Sequence, residues 1–371
     1  MRGFNVLARA ALVCALLQTA LSGSKAAEPL DAARRIVESE WRNYQTPGMS
    51  VALVMNDELV WSAGFGFADI ENKIPAQADT VYRIASISKP IAATAVMQQV
   101  ETGRVALDDP IQQYVPSFPA KPEGAITLRH LLTHTSGIRH YRGMEVLSWR
   151  RYDSVADGIT IFQDDALEFA PGAQFKYSSY GYNLLAGVVE RAAKARFRDY
   201  LRRHIFRPAG MNDSDLEFLE EARLRARQYV RFDNGYAPAP AVDLSYKWAG
   251  GGIASTAPDL ARFHIALNRG KLLKPSTHEA MLQPMKLGNG EISSYGLGWR
   301  VETDKQNRTW VHHSGGATGG TTFLRRNPKE GNAVVVLCNA QTVEGLAAFT
   351  LKIAEAMLPP HLSGASPRND E

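Results

Sequence analysis

Ser86-Ile87-Ser88-Lys89-Pro90 is the stretch from which the rest of the chain can be read. Residues three apart share one face of a helix, so an amine at Lys89 can reach a hydroxyl at Ser86. Pro90 fixes where that helix begins. Proline is tolerated in a first turn, whose N–H groups have no intrahelical partner, and breaks the ladder deeper in. The helix therefore starts near Ser86, continues through Ile91-Ala92-Ala93-Thr94-Ala95-Val96-Met97, and stops at Gly103, a C-terminal signal. That run is apolar nearly all round, which makes it a buried helix. Ser86 sits at its N-terminal tip, where the helix dipole favours a forming anion. We read Ser86 as an acyl-accepting nucleophile and Lys89 as its proton acceptor. Ser-x-x-Lys alone also fits a capping serine beside a solvated lysine, so the rest of the chain must decide.

A chain of 371 residues with 45% hydrophobic and 22% charged residues has the composition of an ordinary globular protein of one large or two small domains. Residues 1–26 read as a secretory leader. Arg2 to Arg9 is basic, Ala10 to Leu21 is a short apolar run, and Ser24-Lys25-Ala26 offers small residues for cleavage after Ala26. An uncleaved anchor is the alternative. The expected location is periplasmic or secreted, with no stable membrane insertion after cleavage. Losing Arg2, Arg9 and Lys25 would bring the net charge from +4 to about +1, which gives no reason to expect nucleic acid as a partner. Cys338 is then the one cysteine left, in an apolar run that reads as a buried strand, so no intrachain disulfide or cysteine metal cluster is expected.

The helical pattern from Asp31 to Tyr44 is followed by strand-like runs Met49 to Met55 and Glu58 to Gly64, joined at Asn56-Asp57 by a hairpin turn. From Leu107 to about Leu282 strand signals are few. Helical stretches there include Thr127 to Thr133, Leu184 to Ala195 and Ala257 to Asn268. Strands return at Gly296 to Glu302, Thr309 to His313, Thr321 to Arg326 and Asn332 to Asn339, before an amphipathic helix from Glu344 to Leu358. This order predicts an α/β (α+β) fold: one antiparallel sheet built from both chain ends and flanked by helices, plus a mostly helical lobe. The expected domain spans 27–360, with the helical lobe at roughly 104–290 inserted in the sheet lobe and a disordered tail at 361–371. A cleft between the lobes is the expected site.

Two further stretches strengthen the reading of Ser86. Tyr177-Ser178-Ser179 lies ahead of a helix, and His313-Ser314-Gly315-Gly316 lies on a strand entering a glycine-rich turn. With these the chain resembles the serine penicillin-recognising superfamily: class C β-lactamases, D-alanyl-D-alanine peptidases, related esterases and the lactamase-like serine proteins of mitochondria. Supporting phrases are Asp79 to Ala85, Thr127 to Gly137, Ala249 to Thr256 and Tyr295-Gly296-Leu297-Gly298-Trp299. The resemblance runs from about residue 32 to 357. It implies a β-lactamase/D,D-peptidase-like fold and a serine hydrolase without cofactor. Ser86 would form the acyl-enzyme, Lys89 would be the base, and Tyr177 would be a second proton carrier. The backbone N–H groups of Ser86 and Gly316 would form the oxyanion hole, and Ser179, His313, Ser314 and Gly315 would contact substrate.

The chain departs from the class C pattern at two places. Ser179 stands where an asparagine is usual, and its hydroxyl is shorter and lacks the amide's paired donor and acceptor. His313 stands where β-lactamases commonly carry lysine, and it would hold a substrate carboxylate only as an imidazolium. Both favour a peptidase or esterase over a true β-lactamase. The expected substrate is a small molecule or peptide, including cell-wall peptide. A catalytically silent scaffold on the same fold is the alternative of another class. His130 and His134 form His-x-x-x-His, but a zinc peptidase would want glutamate where Leu131 stands, so no metal is expected.

Overall fold

The two ends of the chain meet in one sheet. The computed structural model describes residues 28–217, 225–233 and 235–358; the expected leader at 1–26 and tail at 361–371 lie outside them. In chain order the strands are β1 (Gly48–Met55), β2 (Glu58–Asp69), β3 (Ile74–Pro75), β4 (Tyr82–Arg83), β5 (Asp215–Leu216), β6 (Tyr229–Phe232), β7 (Gly235–Pro238), β8 (Ile253–Ser255), β9 (Arg300–Thr303), β10 (Thr309–Ala317), β11 (Gly320–Asn327) and β12 (Asn332–Cys338). The main sheet runs β3-β2-β1-β12-β11-β10-β9 and is antiparallel throughout. Its centre is the pairing of β1 with β12, in register from Met49 opposite Cys338 to Val54 opposite Ala333. Asn56 and Asp57 both take left-handed φ, 51° and 59°, as a tight hairpin turn between β1 and β2 requires.

Alternation along the central strands decides which helices cover which face. Met49, Val51, Leu53, Val334 and Val336 pack against Ala33 and Val37 of helix α1 (residues 28–40). Leu346, Phe349 and Ile353 of the C-terminal helix complete that layer. Ala52, Val54, Val335 and Leu337 face the opposite way, into the larger core. There they meet helix α2 (Ser88–Glu101), which is buried from Ser88 through Met97. Both faces being covered explains why β1 and β12 are near-continuous apolar runs. Cys338 is a buried core thiol, its pKa pushed up to about 12 by burial.

The middle of the chain supplies helix α3 (Leu128–Leu132), helix α4 (Ser179–Ala193) and helix α5 (Ala257–Asn268). Three local expectations need correcting. Helix α4 starts at Ser179 rather than Leu184, because Ser178 caps it by accepting from the Gly181 N–H. Strand β9 starts at Arg300 rather than Gly296, because Gly298 at φ 94° turns the chain first. Two small sheets, β4-β8-β5 and β6-β7, lie in the region that reads as nearly strand-free. Strands of two to four residues are too short to show a period of two. Helix α5 also packs against β1, β2 and β12, so part of the middle segment covers the sheet. Among the described residues no helix is long and apolar enough to cross a membrane.

Candidate active site

A cleft of about 340 Å³ opens where helix α2 begins, lined among others by Ser86, Ser179, Gly250 and Gly316. The chain enters it under strain. Ala85 adopts φ 48°, a left-handed conformation that disfavours any side chain with a Cβ, and begins a short 3₁₀ turn, Ala85–Ile87, feeding helix α2. The Thr322 hydroxyl holds the preceding turn by donating to the Ile84 carbonyl at 3.0 Å. Ser86 is thereby left half-buried at the cleft floor, while Lys89 is wholly buried beneath it. The Lys89 Nζ lies 3.0 Å from Ser86 Oγ, 2.9 Å from Ser179 Oγ and 2.6 Å from the Gly250 carbonyl. Among the described residues no carboxylate bonds to this amine. Burial, reinforced by the charge of Lys247, holds Lys89 well below the ordinary lysine range. A neutral amine there donates to Gly250 and Ser179 and keeps its lone pair for the Ser86 hydroxyl.

Tyr177, Ser178 and Ser179 form the entry to helix α4, and the cap explains their placement. Ser178 accepts from Gly181, donates to the Arg139 carbonyl at 2.8 Å, and gives its N–H to His134 Nδ1 at 3.1 Å. Those bonds fix both neighbours. The Tyr177 ring lies 4.2 Å from the His134 ring and 4.6 Å from the Lys89 ammonium position. Burial raises the Tyr177 phenol well above its ordinary pKa, although hydrogen bonds with Ser86 and Ser179 act the other way. It therefore rests as a neutral phenol. Ser179 lines the cleft, but its hydroxyl accepts from Lys89, and its N–H donates to His140 Nδ1 at 3.2 Å. The hydroxyl of Ser179, expected to contact substrate, is here engaged in holding Lys89.

His313, Ser314, Gly315 and Gly316 all lie on strand β10. His313 is 1% exposed and both ring nitrogens are committed. Nδ1 donates to the Ser314 carbonyl at 2.7 Å, and Nε2 accepts from the Tyr295 hydroxyl at 2.9 Å. Burial, then the charge of Lys89, drives its pKa well below 6.5. Burial and the nearby Lys89 thus disfavour the imidazolium that a carboxylate contact needs. Ser314 is exposed, and Ser314, Gly315 and His313 stand outside the residues lining the cleft. Gly315 is glycine because the fold is crowded there: a Cβ would lie 2.4 Å from the Ile84 carbonyl and 2.2 Å from Thr322 Oγ1. Gly316 differs. Nothing lies within 4 Å of a Cβ built on it, and it lines the cleft beside Ser86.

Several further residues at the site have no role in the sequence reading. Gly250 brings its carbonyl to Lys89, and a Cβ on it would strike the Ser179 carbonyl at 2.6 Å. The run Ala249-Gly250-Gly251-Gly252 was the available signal. His140, Tyr141 and Lys247 also line the cleft. Burial, then Lys89 and Lys247, lowers the His140 pKa to about 4, and burial, then Arg83, lowers Lys247 to about 8. His130 and His134 do not share a helix face. His130 caps helix α3 by accepting from the Thr127 N–H, and His134 follows that helix at φ 59° with its ring buried against Tyr177, Tyr182 and Tyr295. Among the described residues no three His, Cys, Asp or Glu side chains gather as a metal site.

Known proteins resemble this chain along most of its length. The Beta-lactamase family profile matches residues 33–356. The human serine beta-lactamase-like protein LACTB, mitochondrial, is 32% identical, covering 83% of this chain and 76% of that protein. Penicillin-binding protein 4* of Bacillus subtilis is 28% identical over 81% of this chain and 70% of its own. Among solved structures, D-amino acid amidase from Ochrobactrum anthropi complexed with L-phenylalanine amide superposes with a TM-score of 0.76 at 25% identity, covering 89% of this chain and 98% of the amidase.

Proposed function

The chain belongs to the beta-lactamase family of serine hydrolases, and on that premise we propose that it cleaves peptide or ester bonds through an acyl-enzyme on Ser86. The observation that carries this reading is the buried Lys89 amine, 3.0 Å from the Ser86 hydroxyl, with no carboxylate among the described residues to keep it charged. Neutral Lys89 takes the Ser86 proton as Oγ attacks the carbonyl. The oxyanion faces the N–H groups of Ser86 and Gly316, each worth about 3–4 kcal/mol to the transition state. The proton passes from Lys89 to the leaving group through Tyr177, which acts as a neutral phenol relay. Water then repeats the sequence and releases the acid. Ser179 positions Lys89.

The likeness to an amidase and a penicillin-binding protein supports amide or peptide substrates, and Ser179 and His313 in place of the usual asparagine and lysine weigh against efficient β-lactam hydrolysis. The proposal includes export, on the basic and apolar pattern of residues 1–26. A fluorophosphonate probe tests the chemistry. It should label the wild type on Ser86 and leave Ser86→Ala unlabelled and inactive. An adduct mapped to Ser88, Ser136 or Ser314 would overturn the assignment. Turnover of D-amino-acid peptides, short-chain esters and a chromogenic cephalosporin, compared side by side, ranks the substrate classes.

A further inference from the structure

We propose that Lys247 is the carboxylate-binding residue of the cleft, so that the preferred substrates carry a free carboxylate close to the scissile carbonyl. This rests on Ser86 being the nucleophile of that cleft. Lys247 is 5% exposed, yet its side chain lines the same cavity as Ser86, Ser179 and Gly316. It ends a 3₁₀ turn (Ser245–Lys247) that runs directly into the short helix Trp248–Gly251. The carbonyl of Gly250 in that helix holds Lys89, so the backbone fixes the two amines relative to each other. The Lys247 stem crosses Gly251, where a Cβ would meet its Cδ at 3.7 Å.

The ammonium is a buried cation without a partner among the described residues. Among the described residues it makes no hydrogen bond and no ion pair, only approaches to the Tyr141 and Tyr246 rings at 5.3 Å and 5.2 Å. Its nearest carboxylate influence, Glu217, is engaged elsewhere. Glu217 accepts two bonds from Arg83 Nε at 2.8 Å and has Arg225 at 3.3 Å. Among the described residues no Asp or Glu lines the cleft. Burying an unpaired charge is costly, and a ligand carboxylate entering the cavity would offset that cost. Lys247, with its pKa near 8, is still largely protonated at neutral pH, whereas His313 is neutral and its nitrogens are used. The cation that the sequence pattern assigns to the glycine-rich strand is thus supplied from the turn that leads to Gly250.

The test compares two aryl esters with matched acyl chains, a succinate monoester and a butyrate, on wild type, Lys247→Met, Lys247→Arg, Arg300→Gln and His313→Asn. Because Lys247 also acts on Lys89, the readout is the ratio of kcat/KM between the two esters, in which a shared effect on the base cancels. Wild type should favour the succinate ester. Lys247→Met should cut that preference at least tenfold, mostly through KM, and Lys247→Arg should retain most of it. Glutarate should slow fluorophosphonate labelling of wild type, a measurement that needs no variant to fold. A wild type with no preference and no protection by glutarate would overturn the proposal. So would a preference lost in Arg300→Gln or His313→Asn but kept in Lys247→Met. Labelling at a serine other than Ser86 would instead bring down the reading of the cleft itself.

Discussion

At Lys89 the position of one proton separates a base from an inert cation. Burial and the charge of Lys247 favour the neutral amine, so acylation should rise with pH and level off well below the ordinary lysine pKa near 10.5. Lys89→Arg keeps the charge and cannot release a proton, so acylation should fall on the order of 10²–10⁴-fold. Near-normal single-turnover acylation by the arginine variant would reduce Lys89 to an electrostatic role. His313 gives a second test at this scale. Its ring is sealed between Tyr295 and the Ser314 carbonyl, so His313→Lys buries an ammonium where a neutral donor-acceptor pair stood. The variant should melt at lower temperature and gain nothing on carboxylated substrates. Improved kcat/KM on such substrates with unchanged melting would return His313 to substrate binding.

Helix α4 shows how an element places chemistry. Its cap, Ser178, stands between Tyr177 and Ser179 and anchors both through bonds to Gly181, Arg139 and His134. Ser178→Ala removes the cap bond and should cost about 1 kcal/mol of stability. It should also lower kcat more than it raises KM, because Tyr177 and Ser179 lose their registration against Lys89, whereas Ser178→Thr should keep most of both. A loss of stability without any loss of kcat would show that the ring packing around His134 positions Tyr177 unaided. The signal for this start was legible, since serine is a preferred cap. It was hidden because the apolar periodicity becomes regular only from Leu184 onward.

The whole molecule is tuned against acid. His134, His264 and His313 are pushed well below 6.5, and His278 to about 3, in each case first by burial. Below pH ~6.5 the unfolded chain binds protons that the folded chain refuses, so stability is present above that pH and falls as pH drops, by up to about 1.4 kcal/mol per unit for each such histidine. Urea midpoints should therefore decline between pH 7 and 5, and a flat profile would contradict this burial pattern. The pair of Arg83 with Glu217, 3% and 2% exposed, ties the small β4-β8-β5 sheet to the cleft wall, because Arg83 also donates to the Thr318 carbonyl at 2.9 Å. Glu217→Gln leaves a buried guanidinium without its counter-charge and should cost about 3–5 kcal/mol in chemical denaturation. A loss below about 1 kcal/mol would mean that water solvates the freed guanidinium.

Local signals were enough for much of this protein. The apolar runs of β1 and β12, the hairpin at Asn56-Asp57, the helix start at Pro90 and its stop at Gly103 are each written in a few neighbouring residues. The spacing of Ser86 and Lys89 follows from helical periodicity in the same way. What sequence could not supply was who meets whom across the fold. Whether His313 is charged depends on burial and on Tyr295, 18 residues earlier in the chain. Whether Ser179 faces substrate or Lys89 depends on two helices meeting, 90 residues apart. Lys247 has no motif of its own, and only the folding of its turn against the cleft leaves it buried without a counter-ion among the described residues. Periodicity and turn chemistry act over a few residues and can be read from order alone. Desolvation and charge pairing are set by neighbours brought together from distant parts of the chain, so they were decided by the tertiary structure.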